Sequence, residues 1–175
     1  SFTTGLDRFS TRVNNDGNAW LTSDRIGIYM FANGSLANGD ALNENVVYQP
    51  ENAGKTTPLQ AVNTDETILY PKSGTVEFMA YSPYSQSLSE FTYPISVGNQ
   101  SAGLGHFDLV YATANNEGNG FASGGVDFAF NHALSRFVLQ FTDENNDFVS
   151  INNLKILGMK AKADFNLRTK EITNY

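Results

Sequence analysis

A chain of 175 residues that is 41% hydrophobic can bury a core of its own, and that fraction excludes a disordered segment. A net charge of -7, with only 11 scattered Lys and Arg, excludes the basic face that nucleic-acid binding needs, and an anionic membrane surface would repel the chain. Cysteine is absent, which excludes disulfides, thiolate metal sites and a Cys nucleophile within these residues, and no apolar run approaches the roughly 18 residues of a transmembrane helix.

Thirteen Phe, eight Tyr and fifteen Gly, together with many Thr, Val and Asn, favour half-buried strands joined by turns. In residues 1–13, Phe2, Thr4 and Leu6 alternate with Thr3, Gly5 and Asp7, a weak strand that ends at the Asn14–Asn18 turn. Ile26, Ile28 and Met30 face one way and Tyr29 and Phe31 the other, so residues 26–31 predict a central strand covered on both sides. Residues 33–45 read as a polar loop, Val46–Tyr48 as a short strand cut off by Pro50, and Leu59–Val62 as a small strand. Thr67–Tyr70, a Pro-Lys-Ser-Gly turn at 71–74 and Thr75–Tyr81 predict a hairpin. Phe91–Val97 is a strand that Pro94 confines to an edge or a bulge, and Phe107–Ala114 is another.

In residues 126–141, Val126, Phe128, Phe130, His132 and Leu134 share one phase, and Phe137, Leu139 and Phe141 the opposite one. A bulge or bend is therefore expected between Ala133 and Arg136. Ile151–Met159 predicts a strand, and Ala161, Ala163, Phe165 and Leu167 alternate with polar residues in a half-exposed one. Seven or more short strands without an amphipathic helix predict one all-β domain over residues 1–175, a sandwich or barrel.

The residues that could carry chemistry fall short of a site. His106 and His132 have no ligand spacing between them, and His132 shares the phase of core-facing Phe128 and Phe130, which predicts a hydrogen-bonded core histidine. Ser135 lacks the glycines of a nucleophile elbow. Asp143, Asn145 and Asp147 open like a calcium loop, but Phe148 and Leu154 stand where an EF-hand needs Gly and Glu. Trp20, the sole Trp, precedes the strongest strand and predicts a core plug, with a sugar-stacking platform as the alternative. Gly103 and Gly105 are an isolated fragment of a phosphate-loop pattern. The expectation is no enzyme, no metal and no cofactor.

Five segments in order resemble the fimbrillin-like proteins of Bacteroidetes, the subunits of type V pili and their relatives. Trp20 to Tyr29 (WLTSDRIGIY) resembles the family's opening W-x-x-x-D-x-I-G-I-[YF]. Tyr70-Pro71 followed by Val76 to Tyr84 (VEFMAYSPY) resembles Y-Y-P, then V-x-F-x-A-Y-x-P-Y. Gln100-Ser101 with Phe107 to Ala112 resembles Q, then D-L-L-x-A, and Phe130 to Arg136 resembles F-x-H-x-L-[ST]-[KR]. Ala163 to Thr169 resembles A-x-F-[DN]-L-x-T, with Lys170 where a Gly is commoner.

The resemblance implies a transthyretin-like antiparallel β-sandwich, the N-terminal domain of an exported lipoprotein anchored at the outer membrane through a residue upstream of this chain. It implies structural places for Trp20, Asp24, Tyr81, Pro83 and His132. It also implies a fimbrial subunit that joins other pilus subunits by donor-strand exchange, after a trypsin-like protease removes an N-terminal strand. Arg12 is the favoured scissile position because it borders the Asn14–Asn18 turn, and Arg8 is the second. On the alternative reading, residues 1–12 are a frayed or permanent edge strand. The domain by itself is expected to be monomeric. A surface carbohydrate-binding module is the alternative function, and the resemblance names no host or glycan ligand.

Overall fold

Ile26, Ile28 and Met30 on one face and Tyr29 and Phe31 on the other are all buried, and the fold is arranged around the strand that carries them. The computed structural model describes residues 1–6, 19–99, 106–135, 153–155 and 157–175. Ten strands and no α-helix occur among them: β1 (Phe2–Leu6), β2 (Ile26–Ala32), β3 (Ala41–Pro50), β4 (Thr57–Ala61), β5 (Val76–Ser82), β6 (Thr92–Ser96), β7 (Val110–Ala114), β8 (Val126–His132), β9 (Lys162–Asn166) and β10 (Ile172–Thr173).

The all-β class stands, but the antiparallel sandwich does not describe the closure. Seven strands form a closed barrel in the order β1-β4-β3-β2-β5-β7-β8, and β10-β9-β6 form a separate three-stranded sheet. Every neighbouring pair in the barrel is antiparallel except β1 with β8, which run parallel. The reason is β1 itself: it pairs with β4 on one side and β8 on the other, so it joins two edges that a sandwich would leave apart.

Strand alternation divides the apolar residues between two cores. One set, including Ile26, Ile28, Phe78, Ala80, Val110, Ala112, Val126, Phe128 and Phe130, packs into a core that also holds Trp20. The other set, Tyr29, Phe31, Met79 and Tyr81, packs with Ile95, Phe165 and Leu167 from the three-stranded sheet. Glu77 lies among them in β5, and its carboxylate accepts the Leu36 N–H at 2.6 Å, the partner that a buried charge requires.

Several local expectations change. Thr67–Tyr70 forms no strand, and β5 pairs with β2 and β7 instead of a hairpin partner, while the Ile68 N–H donates to the Tyr48 hydroxyl at 2.9 Å. β3 begins at Ala41, inside the predicted loop, because β2 offers it a ladder through two register shifts. The described residues of the expected 151–159 strand are exposed and irregular, Leu154, Leu157 and Met159 among them. The predicted phase change between Ala133 and Arg136 and the strand through Phe141 fall largely outside the described residues. β6, with Pro94, does lie at a sheet edge. Lys170 has φ 62°, in the left-handed region that favours Gly, which accounts for the glycine commoner there in the resembling family. Asn166 builds the same turn: its side-chain oxygen accepts the Arg168 and Thr169 N–H groups at 2.9 and 3.0 Å.

Two predictions come from the second core. A Cβ on Gly27 would stand 2.3 Å from the Tyr81 ring and 2.6 Å from Asn45 Oδ1. Gly27→Ala is therefore expected to cost about 1–3 kcal/mol through overpacking. It should lower the urea midpoint with the slope unchanged, and an unaltered midpoint would show that Tyr81 is free to move. Burial, reinforced by Glu44 and Tyr84, pushes the Tyr29 phenol up to about 12. Burial also raises Tyr81, against opposing hydrogen bonds from Ser85 and Asn45. With folded values above the unfolded one, the stability these neutral phenols contribute is complete below about pH 10 and is lost as pH rises toward 12. Ultraviolet titration should show their phenolate signal arriving together with unfolding; ionisation near pH 10 in a chain that is still folded would contradict this.

Candidate functional site

Phe2 is the only aromatic residue of β1, and it is buried among Tyr48, Phe78 and Phe128. Its ring centroid lies 5.2 Å from Tyr48 and 5.2 Å from Phe78, both edge-on, and 5.6 Å from Phe128 in a stacked arrangement. Burying one such side chain is worth about 1.5–3 kcal/mol, and the edge-on pairs add to it. The backbone is held as firmly. Phe2 stands opposite Leu59 in β4 and opposite Val126 in β8, and the β8 pairing continues to Leu6 opposite Phe130. The Val126 N–H donates to the Ser1 carbonyl at 2.9 Å, and the Thr3 hydroxyl donates to Asp127 Oδ1. β1 thus lies in a slot between β4 and β8, paired on both sides over its described residues.

Two depressions border Ser1 and Phe2. An open depression of about 500 Å³ lies between Ser1 and Phe2, residues 67–70, Phe78 and Gly124–Gly125. A second, of about 270 Å³, lies between the same two residues and Tyr48, Leu59, Ala61 and Ile68. The phenols at this end are raised above their ordinary value by burial, Tyr48 against the opposing hydrogen bond from Ile68, and Tyr70 by burial alone. Both stay neutral at physiological pH, so the slot offers aromatic surface and main-chain partners rather than charge.

The residues singled out in the sequence occupy separate places. Trp20 is wholly buried, edge-on to Phe130 at 5.1 Å, and its backbone pairs with Gly54 through bonds of 2.8 and 3.0 Å. It presents no face to a sugar. Asp24 Oδ2 accepts the Leu21 N–H at 2.9 Å and its own N–H donates to the Leu21 carbonyl at 3.0 Å, closing the turn into β2. The Tyr81 hydroxyl stands 2.8 Å from Asn45 Oδ1 and 2.9 Å from the Ser85 carbonyl, and it accepts the Ser85 N–H at 3.2 Å. Pro83 follows Ser82 through a cis peptide bond, and the next residue, Tyr84, donates its N–H to the Arg25 carbonyl at 3.0 Å.

His132 is half-buried, with Nδ1 2.9 Å from Asp108 Oδ1. Ser135 and His106 are exposed. No group of three or more His, Asp or Glu among the described residues could hold a metal ion. Arg8, Arg12, Gly103, Gly105, Asp143, Asn145 and Asp147 lie outside the described residues.

Of the described residues singled out as candidates, Trp20, Asp24, Tyr81, Pro83 and His132 do not border these depressions. The phase shared by Val126, Phe128 and Phe130 marked the floor of the slot, but nothing local marked Phe2 as their partner. Tyr48 and Leu59 gave even less: each sits in a short segment bounded by Pro, Asn or Thr, without the run of alternation that would assign it a face.

Comparison with known proteins gives this architecture relatives. The structure is similar to two crystal structures described provisionally as cell adhesion proteins. The one from Bacteroides ovatus has a TM-score of 0.67 and 23% identity over 97% of this chain and 65% of that one. The one from Bacteroides uniformis has a TM-score of 0.71 and 22% identity over 89% of this chain and 62% of that one. The chain therefore spans less than two thirds of the length of either, and at these identities the likeness is one of fold. No curated protein matches the sequence. A family described as fimbrillin-like matches residues 11–175, which is nearly the whole chain and includes every strand after β1. By that match, this chain belongs to the fimbrillin-like family.

Proposed function

We propose that the chain is a structural, non-enzymatic subunit of a cell-surface fimbria and that it joins neighbouring subunits by strand exchange at the β1 slot. The observation that carries the reading is the double pairing of β1, antiparallel to β4 and parallel to β8, with Phe2 seated in the core. Without β1, the barrel opens into six antiparallel strands with unpaired N–H and C=O groups facing each other along β4 and β8. An extended strand from another subunit can satisfy both edges at once.

Membership in the fimbrillin-like family supports the setting, and the adhesion proteins of like fold are consistent with it. In this reading the chain works at the cell surface, its partners are other pilus subunits, and the domain by itself stays monomeric. Trypsin-like cleavage after Arg12, or after Arg8, releases β1 from its covalent tether. While tethered, β1 competes for the slot at the high effective concentration of an intramolecular segment, and once cut it competes only as a free peptide.

Two experiments test the reading. Limited trypsin digestion should cut early at Arg12 or Arg8 and leave a domain that takes up an added peptide copying residues 1–6, or that multimerises. Early cutting elsewhere, or a clipped domain that does neither, would sink the proposal. Phe2→Ala should cost the intact chain about 3–5 kcal/mol, as removal of a buried Phe commonly does. Chemical denaturation reads this directly, and a loss near zero would mean that β1 is not anchored through its ring.

A further inference from the structure

The hydrogen bonds between β6 and β9 fix which backbone groups of β6 face outward. The Leu167 N–H donates to the Phe91 carbonyl at 2.9 Å, and the Val97 N–H donates to the Ala161 carbonyl at 2.8 Å. Bonded and non-bonded pairs alternate along an antiparallel ladder, so Phe91, Tyr93, Ile95 and Val97 turn their backbone groups toward β9. Thr92, Pro94 and Ser96 turn theirs the other way, to the open side of the three-stranded sheet, where β6 is the last strand.

That outward row is poor in donors. The Thr92 N–H is committed to the Ser89 carbonyl at 2.8 Å, and Pro94 has no N–H. Of the three residues, only Ser96 keeps an outward N–H to offer. Side chains put up no such barrier. Pro94 and Ser96 are exposed and uncharged, and Thr92, Tyr93 and Ile95 are of types that sheets favour. An edge of this kind invites a neighbouring strand unless something in its backbone turns the neighbour away.

The partner that such an edge fits best is a second copy of itself. Two β6 strands meeting antiparallel about a two-fold axis through residue 94 would set 94 against 94, and Thr92 against Ser96 at either end. An ordinary residue at 94 would give that joint a reciprocal pair of bonds at its centre. Pro94 removes both and places its ring against the facing carbonyl, so that only the Ser96 N–H and the Thr92 carbonyl are left to bond at each end. We propose that Pro94 is the residue that closes the β6 edge to a second copy of this chain. The proposal concerns this edge alone, and it stands or falls separately from strand exchange at the β1 slot.

The test is sedimentation of the intact chain over a series of concentrations, with Pro94→Thr beside the wild type. The variant's average mass should climb with concentration toward twice the monomer's, with self-affinity about tenfold or more above the wild type's, the return on two restored hydrogen bonds. Adding Ser96→Pro to Pro94→Thr removes the bonds at either end and should return the chain to wild-type behaviour. A Pro94→Thr chain that self-associates no more than the wild type would overturn the proposal. So would a Pro94→Thr/Ser96→Pro chain that associates as strongly as Pro94→Thr, because the contact would then not be the β6 edge. Urea denaturation is the companion measurement. Residue 94 donates nothing to β9, so both Pro94→Thr and the milder Pro94→Ala should unfold close to the wild-type midpoint. Loss of the fold in both would contradict the outward placement of residue 94 and overturn the proposal as well.

Discussion

The parallel seam between β1 and β8 is the constraint on which the barrel depends. Every other junction joins antiparallel neighbours, and the seam alone brings residues 2–6 against residues 126–130. Closing so long a stretch of chain costs entropy, although that cost grows only slowly with length. Phe2 offsets part of it. Its ring touches aromatic residues from three strands, so the seam is a packing contact as well as a ladder.

β2 and β5 give the molecule a second basis of stability. Their inward residues serve the barrel core and their outward residues serve the layer beneath the three-stranded sheet. This double use explains residues that would be unwelcome in an ordinary half-exposed strand. Gly27 is small because the Tyr81 ring lies against its backbone. Tyr81 is long because its hydroxyl must reach Asn45 and Ser85 at the edge of the layer. Arg168 covers the same layer, with its guanidinium carbon 3.8 Å from the Phe91 ring centroid and 5.1 Å from that of Phe31. Phe2 belongs to the first core and not to the second.

Local pattern made much of this legible. Apolar residues on both faces of Ile26–Phe31 announced a covered strand, the alternation at Val126–Phe130 announced the slot floor, and Pro94 announced an edge. Strand partners were another matter. Alternation tells which way a residue faces and not which strand lies beside it, so the 67–70 segment read as half of a hairpin although β5 had better partners in β2 and β7. For the same reason, the weak alternation of the N-terminal strand carried no sign of which strands flank it. What makes β1 central is two partners whose nearest residues lie more than fifty positions away, and no window of neighbouring residues contains that information. The polar residues of 41–45 form strand for a similar reason: their backbone groups are claimed by β2, and their side chains carry no sign of it.

The double pairing of β1 also has a mechanical meaning. A strand at a sheet edge can be peeled away one hydrogen bond at a time, because a pull at its end loads only the last pair. A strand seated between two neighbours and pulled along its own axis loads its pairs in shear, and they must yield together. In this slot, five register pairs on the β8 side and three on the β4 side would share such a load. The Phe2 ring, set crosswise to the pull among three other rings, would act as a barb. If successive subunits join by the strand exchange proposed above, such a joint would hold a fibre against drag without a covalent bond across it.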